Sequence, residues 1–276
     1  MTNILKSFKL DGQVIIVTGG AGLLGKQYSN AIAESGGIPI IADINADSAV
    51  KTAKEIAAKT GGQTLGSHVD VTDKKSINAL VKKTLKRFGR IDGLVNNAGL
   101  DPKFENLNAN EHTNSFEDYP LDLWNKSMAV NLTGMFLCAQ AVAPAMISQN
   151  KGSIVNISST YGLVGPDQRL YQKTNPKAKT SYKPVTYSVS KSAVLGLTRY
   201  LAAYWAGKNI RVNTLTPGGV YNNHEDEFVK RYSYRTTLGR MAKKYEYNAA
   251  VVFLLSDAAS YMTGANLVID GGWTAW

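Results

Sequence analysis

A short apolar run, Val14 to Thr18, passes directly into Gly19-Gly20-Ala21-Gly22-Leu23-Leu24-Gly25 and then into an amphipathic segment over 22–35. Strand, glycine-rich turn and helix in that order leave few folds open. The glycines allow a tight turn and let backbone N–H groups approach an anion at the helix N-terminus, where the helix dipole favours negative charge. Gly20, Gly22 and Gly25 make G-x-G-x-x-G, which points to a pyrophosphate only in this strand-to-helix setting.

The rest of the chain repeats the alternation. Short runs rich in β-branched residues at Ile38–Asp43, Thr64–Val69, Ile91–Val95, Ser153–Ser158, Arg211–Leu215 and Leu267–Asp270 read as further strands. Helical patterns at 46–60, 73–88, 121–149, 185–208 and 246–256 lie between them. Strands that are apolar on both faces and alternate with helices predict an α/β fold of the Rossmann type. The expectation is a doubly wound, seven-stranded parallel sheet with helices on both faces. No repeat, linker or low-complexity tract divides residues 1–276, so one domain is expected. Two stretches break the rhythm, 101–122 and 166–184. Both carry prolines and polar residues and read as loops inserted after strand ends.

Composition narrows the function. With 44% hydrophobic and 19% charged residues the chain is a core-forming one. Its single cysteine, Cys138, forbids an intrachain disulfide and sits in an apolar helical run as a small core residue. The histidines His68, His112 and His224 are scattered, so no metal site is expected. The N-terminus is not a signal peptide, and the apolar runs read as too short for a membrane helix, so a cytoplasmic protein is expected. The net charge of +10 admits an anionic small molecule, but no basic helix or aromatic-basic interleaving points to nucleic acid.

Asp43 ends the second strand about twenty residues after the glycines, where an acid accepts from the adenosine ribose hydroxyls and repels a 2′-phosphate. NAD is therefore expected over NADP. Tyr187 and Lys191 form Y-x-x-x-K, one helical turn apart. Tyr204 and Lys208 match the same pattern, so context must decide. The first pair follows an apolar strand ending in Ser158-Ser159 and precedes Arg211-Val-Asn-Thr-Leu-Thr-Pro217-Gly218, whereas the second sits late in a helix.

Thr18-Gly19, Asn96-Asn97-Ala98-Gly99, Asn131, Ser159, Tyr187, Lys191 and Pro217-Gly218 occur in the order seen in short-chain dehydrogenases/reductases, and the chain resembles that family from Leu10 to Asp270-Gly271-Gly272. The resemblance implies a catalytic tetrad of Asn131, Ser159, Tyr187 and Lys191. In it Tyr187 exchanges the proton, Ser159 positions the substrate oxygen, Lys191 holds the nicotinamide ribose and favours the phenolate, and Asn131 holds a relay water. Ser159 is preferred to Ser158 because Ser159-Thr-Tyr-Gly162 has the family spacing, leaving Ser158 to satisfy backbone. The resemblance also implies cofactor contacts. They come from Thr18, Gly19, Gly20, Gly22, Leu23, Leu24 and Gly25 in the turn, Asp43, the pair Asp70-Val71 beside adenine, Asn97, Ala98 and Gly99, and Pro217, Gly218 and Val220, besides Tyr187 and Lys191.

The chain departs from the family in two places. Glycine stands at 22 where the usual turn has it one position later, and the interval from Ser159 to Tyr187 is lengthened by the 166–184 insertion. That insertion sets Arg169, Lys173, Lys177, Lys179 and Lys183 against Asp167. The 101–122 stretch sets Asp101, Glu105, Glu111, Glu117, Asp118 and Asp122 against Lys103. Three readings stay open: a solvated loop, recognition of an anionic substrate, or electrostatic pairing of the two loops into a lid. Gly99–Phe104, Pro166–Tyr171 and Pro217–Asn222 resemble bacterial oxidoreductases of surface-sugar and flagellin-glycan synthesis, which makes Asp101, Gln168 and Arg169 candidate substrate contacts.

The function expected is thus an NAD-dependent oxidoreductase interconverting an alcohol and a ketone on a sugar, sugar phosphate or nucleotide sugar. Two alternatives stand beside it: a 3-oxoacyl-thioester (acyl carrier protein) reductase and a dinucleotide-binding sensor or structural subunit without turnover. The helical stretches 121–149 and 185–208 resemble those that pair in family oligomers, so a homotetramer or homodimer is expected.

Overall fold

The computed structural model describes residues 3–101, 114–172 and 181–276. Among these residues, seven strands form one parallel sheet in the order β3-β2-β1-β4-β5-β6-β7. They are β1 Val14–Thr18, β2 Ile38–Asp43, β3 Leu65–His68, β4 Gly93–Asn96, β5 Gly152–Ile157, β6 Ile210–Pro217 and β7 Asn266–Ile269. Every expected strand is present, with ends displaced by a residue or two. The helices are α1 Ile4–Ser7, α2 Leu23–Glu34, α3 Ala46–Thr60, α4 Lys74–Phe88, α5 Leu121–Met128, α6 Gly134–Gln149, α7 Val185–Tyr204, α8 Asp226–Arg235 and α9 Asn248–Leu255.

Side-chain alternation along β1 divides the core. Val14 and Ile16 join Ile40, Leu94, Ile154 and Val212 beneath α4, α6 and α7. Ile15 and Val17 join Val95, Val155 and Leu215 on the other face, beneath α2 and α9. Each face of the sheet thus supplies its own apolar layer, which is why the strands read as continuous apolar runs. Local chemistry sets the helix ends. Asn45 and Asp73 accept from the backbone N–H of Ser48 and Lys75 at the starts of α3 and α4. Gly61 and Gly89 end the same helices in the left-handed region.

Two features depart from the sequence expectation. The helical stretch Leu121–Gln149 is long and apolar enough to cross a membrane by length and composition, contrary to the reading that no run was. Its apolarity has a different cause. It lies on the sheet and buries Met135, Cys138, Ala139, Val142 and Met146 in the core. The other is α8, which periodicity did not reveal. Its mostly charged and polar sequence turns three apolar residues toward the protein, Phe228, Val229 and Tyr232, packed with Tyr161, Tyr171 and Trp273.

A buried polar row ties α7 to the sheet. Asn96 of β4 donates to Oδ1 of its register partner Asn156 on β5 at 2.8 Å. Asn156 donates to the Thr198 hydroxyl of α7 at 2.9 Å, and Thr214 of β6 reaches the same hydroxyl at 2.8 Å. All four residues are at most 1% exposed. Asn156→Ala leaves the Asn96 amide and Thr198 short of partners in a region without water. It is expected to lower unfolding stability by about 3 kcal/mol, read as a lower urea midpoint.

Candidate active site

The sheet order reverses between β1 and β4, and the loops that leave their C-terminal ends open a crevice there. Thr18 and Asn97 stitch its floor. The Thr18 hydroxyl donates to Val95 O at 3.3 Å and accepts from the N–H of Asn97 (3.0 Å) and Ala98 (3.1 Å). The Asn97 amide donates to the carbonyls of Thr18 and Gly19. These side chains, expected at the cofactor, are engaged with backbone and shape the turn.

The glycines serve different ends. A Cβ on Gly25 would lie 2.0 Å from the Gly19 carbonyl oxygen, and one on Gly20 would lie 2.7 Å from Val17 O. Internal packing therefore requires both. Gly22 is different. It adopts φ −73°, open to any residue, and a Cβ there meets only Gly19 O, at 3.2 Å. It also caps α2 without any side-chain hydrogen bond, so no side chain occupies the helix N-terminus. Leu23 and Leu24 follow it on the wall of the main cavity. A bare helix N-terminus behind a residue with little internal reason to be glycine fits a pyrophosphate in van der Waals contact with the turn.

Asp43 reaches this turn from β2. Its carboxylate accepts from Ala21 N–H at 3.1 Å and from Asn45 N–H at 3.0 Å. Lys26, the nearby cation that could welcome a 2′-phosphate, is paired with Glu55 at 2.6 Å. Asp70 accepts from the backbone and hydroxyl of Thr72, bonds that hold its carboxyl below the ordinary range. Val71 packs against Gly134, where a Cβ would come within 2.9 Å.

The cavity at the crevice is about 520 Å³. Its walls include Leu23, Leu24, Asn97, Gly99, Asp101, Ser159, Tyr187, Lys191, Pro217, Gly218 and Val220 from the sequence reading. Gly218 and Gly219 are held from behind, by Tyr247 donating to Gly218 O and by Gly219 N–H donating to Tyr232 Oη. Ser159, two residues beyond β5, lines the cavity with Tyr187, and its hydroxyl accepts from Tyr161 N–H at 3.3 Å. Ser158 donates instead to Lys191 O at 2.7 Å, the backbone role expected of it, although the backbone belongs to α7.

Lys191 lies behind the phenol, with Nζ 5.9 Å from the Tyr187 ring centre and donating to Ile157 O at 2.9 Å. Burial pulls its ammonium down to about 8, and Lys183 acts in the same direction while Asp101 opposes it. Lys191 was expected to favour the phenolate. Within the protein, however, burial dominates and, with the Asp101 carboxylate, pushes the Tyr187 phenol above its ordinary range. The Ser159 hydroxyl pulls it partly back. Asn131 lies in a π-helical turn, Ala129–Thr133, between α5 and α6. Its amide protons go to Leu100 O and Ser190 Oγ, and its oxygen accepts from Leu100 N–H. Its side chain thus fixes the Gly99–Leu100 segment, and a relay water would have to be held by something other than those two amide protons.

Among the described residues the inserted segments meet at Asn114, whose amide donates to Tyr182 O at 3.5 Å, and at a buried ion pair. Lys183 is ion-paired with Asp101, and its Nζ stands 3.9 Å from the Tyr187 ring centre. Sequence reasoning counted Lys183 only within a basic loop. Its position just before Pro184 and one turn ahead of Tyr187 was the available signal. Gln168 and Arg169, proposed as substrate contacts, do not line the cavity. Gln168 clamps the Lys183 backbone, accepting from its N–H at 2.8 Å and donating to its carbonyl at 3.3 Å. Arg169 folds onto Asp167 through two bonds and is 77% exposed. Lys173, Lys177, Lys179, Lys103, Glu105 and Glu111 lie outside the described residues, as does His112. Tyr161, Tyr171, Tyr232 and Phe228 add an aromatic wall that the sequence did not disclose.

A family model described as enoyl-(acyl carrier protein) reductase matches residues 19–274. The chain is 35% identical over 275 residues to D-threitol dehydrogenase of Mycolicibacterium smegmatis, covering 97% of this chain and 95% of that one. It is 36% identical over 271 residues to a 3-oxoacyl-[acyl-carrier-protein] reductase of Thermotoga maritima, covering 96% and 98%. To the L-tagatose-forming galactitol 2-dehydrogenase of Cereibacter sphaeroides it is 34% identical over 275 residues, covering 98% of each. Among solved structures, a gluconate 5-dehydrogenase from Burkholderia cenocepacia in complex with NADP and tartrate superposes with a TM-score of 0.86 at 29% identity, covering 99% of this chain and 100% of that one. An NAD+-bound xylitol dehydrogenase superposes with a TM-score of 0.81 at 29% identity, covering 96% and 100%. A parallel seven-stranded sheet, a glycine turn at its switch point and these full-length likenesses together make the chain an oxidoreductase acting on CH–OH groups and a member of the short-chain dehydrogenase/reductase family.

Proposed function

We propose that the protein is an NAD-dependent dehydrogenase of an uncharged polyol or sugar, interconverting a secondary alcohol and its ketone with Tyr187 as the acid/base. The observation that carries this reading is the placing of the Tyr187 phenol. It shares with Ser159 the lining of a cavity that begins at the glycine turn, and Lys191 stands behind it.

The residues present fit a nicotinamide dinucleotide: the uncapped N-terminus of α2 for the pyrophosphate, Asp43 for the adenosine ribose, and Lys191 with Gly99 and Gly218 along the nicotinamide half. Bound there, the nicotinamide accepts or donates the hydride. The chain handles the oxygen and its proton. Ser159 donates to the substrate oxygen and sets its distance from Tyr187. In reduction the Tyr187 O–H gives its proton to the oxygen as the carbonyl carbon gains hydride. In oxidation the phenolate takes the hydroxyl proton as that carbon loses hydride. Asp43 with Lys26 turned to Glu55 supports NAD over NADP.

An uncharged substrate is supported by the described charges at the mouth. Lys183 is ion-paired with Asp101 in the cavity lining, and outside that lining Asp167 is shared between Arg169 and Arg235. The reading of a sugar phosphate or nucleotide-linked sugar, drawn from the likeness to surface-sugar enzymes, rests on Lys173, Lys177 and Lys179. The threitol and galactitol dehydrogenases among the relatives favour the polyol. Exposed Phe136, Ile147, Tyr200 and Tyr204 on α6 and α7 support assembly of like chains through those helices.

Tyr187→Phe is expected to lower kcat for polyol oxidation by about 10²–10⁴-fold, measured by NADH formation. Because burial raises the Tyr187 pKa, the phenol is protonated at neutral pH and suits reduction directly. Oxidation needs the phenolate, so wild-type oxidation should rise with pH and flatten as the Lys191 ammonium is lost near 8, while ketone reduction does not rise. Asp43→Ala is expected to shift the ratio of kcat/KM for NADP to that for NAD upward by about tenfold, and an unchanged ratio would remove the argument for NAD.

A further inference from the structure

We propose that Asp101 and Lys183 form a second substrate-reading point, which binds a hydroxyl on the carbon next to the one that Tyr187 serves. The inference rests on the dehydrogenase reading and names its substrate class: uncharged compounds with vicinal hydroxyls.

The pair is placed for that task. Both residues line the cavity that holds Ser159 and Tyr187, and the Lys183 ammonium stands 3.9 Å from the Tyr187 ring centre. Lys183 is only 7% exposed. Burying two charges is costly and is commonly no more stabilising than apolar packing, so stability alone is a weak account of this pair. Its hydrogen bonding is also incomplete. Asp101 gives Oδ2 to Lys183, while Oδ1 is buried and has no hydrogen-bond partner among the described residues. A carboxylate oxygen without a partner beside a reacting phenol is an acceptor for a hydroxyl. The ammonium carries three N–H donors and gives one to Asp101, which leaves donors for the same hydroxyl's oxygen.

The position is also fixed rather than adaptable. Gln168 holds the Lys183 backbone from both sides. Asn131 holds Leu100, the residue before Asp101. A hydroxyl can therefore donate to Asp101 and accept from Lys183 while the neighbouring oxygen lies between Ser159 and Tyr187. An anionic group next to the reacting carbon would face the Asp101 carboxylate. A methylene there, as in a 3-oxoacyl thioester, would leave Asp101 Oδ1 without a hydrogen bond. The site thus selects a vicinal diol against both.

The test compares butane-2,3-diol with butan-2-ol, which differ by one hydroxyl, using NAD and full-length protein. Wild type is expected to prefer the diol in kcat/KM. In Asp101→Leu/Lys183→Met, which removes both charges together, the diol-to-monoalcohol ratio is expected to collapse by about 10–100-fold, chiefly through KM for the diol. A ratio unchanged in the double variant, even with both rates lowered, would mean that the pair only supports Tyr187, and would overturn the inference. Should that variant not fold, the wild-type comparison decides: equal use of the two alcohols overturns the inference and leaves the dehydrogenase reading standing. Failure to oxidise any secondary alcohol, polyols included, would overturn both.

Discussion

The buried row of Asn96, Asn156, Thr198 and Thr214 is the constraint on which the reaction centre depends. A sheet covered by helices on both faces gives each helix an apolar seat but only loosely sets where it slides along that seat. Directional bonds in a dry interior remove that freedom. The row fixes α7 against β5 from inside the core. Ser159 leaves the end of β5 and Tyr187 lies near the start of α7. The placing of Ser159 beside Tyr187 in the cavity lining is therefore set by bonds made well away from the cavity, and it is reinforced at the near end by Ser158 on Lys191 O.

Much of this was legible in the chain. Strands that must be apolar on both faces announce themselves, and the glycine turn announced the switch point. Some side chains could not be read because their roles depend on which partner the fold turns toward them. Arg169 was plausible as an anion receptor until Asp167, two residues earlier, was seen to hold it. Lys183 was one of five basic residues in an insertion, and only the fold brings it to Asp101 across 82 positions. The π turn at Asn131 left no periodic trace, since one extra residue in a helical turn does not disturb an apolar pattern visibly. Helix α8 escaped because three apolar residues in a charged segment look like a loop.

Two scales of electrostatics operate around the phenol. The chain is strongly basic overall, yet near the cavity Lys183 is paired with Asp101, and Arg169 and Arg235 share Asp167. Net charge therefore says little about what enters. The local arrangement also opposes easy ionisation of Tyr187, because burial and Asp101 both raise its phenol. Proton transfer in the oxidative direction depends on positive charge close to the ring, which Lys191 supplies only while protonated, and burial has brought that group down to about 8.

The lone cysteine has a consequence of another kind. Cys138 lies 3% exposed against the sheet, and burial pushes its thiol up to about 12. At neutral pH only about one thiol in 10⁵ is ionised, and the thiolate is the form that oxidants and disulfides attack. An oxidoreductase of this build thus carries a single thiol that its own core keeps from ready attack by oxidants and disulfides.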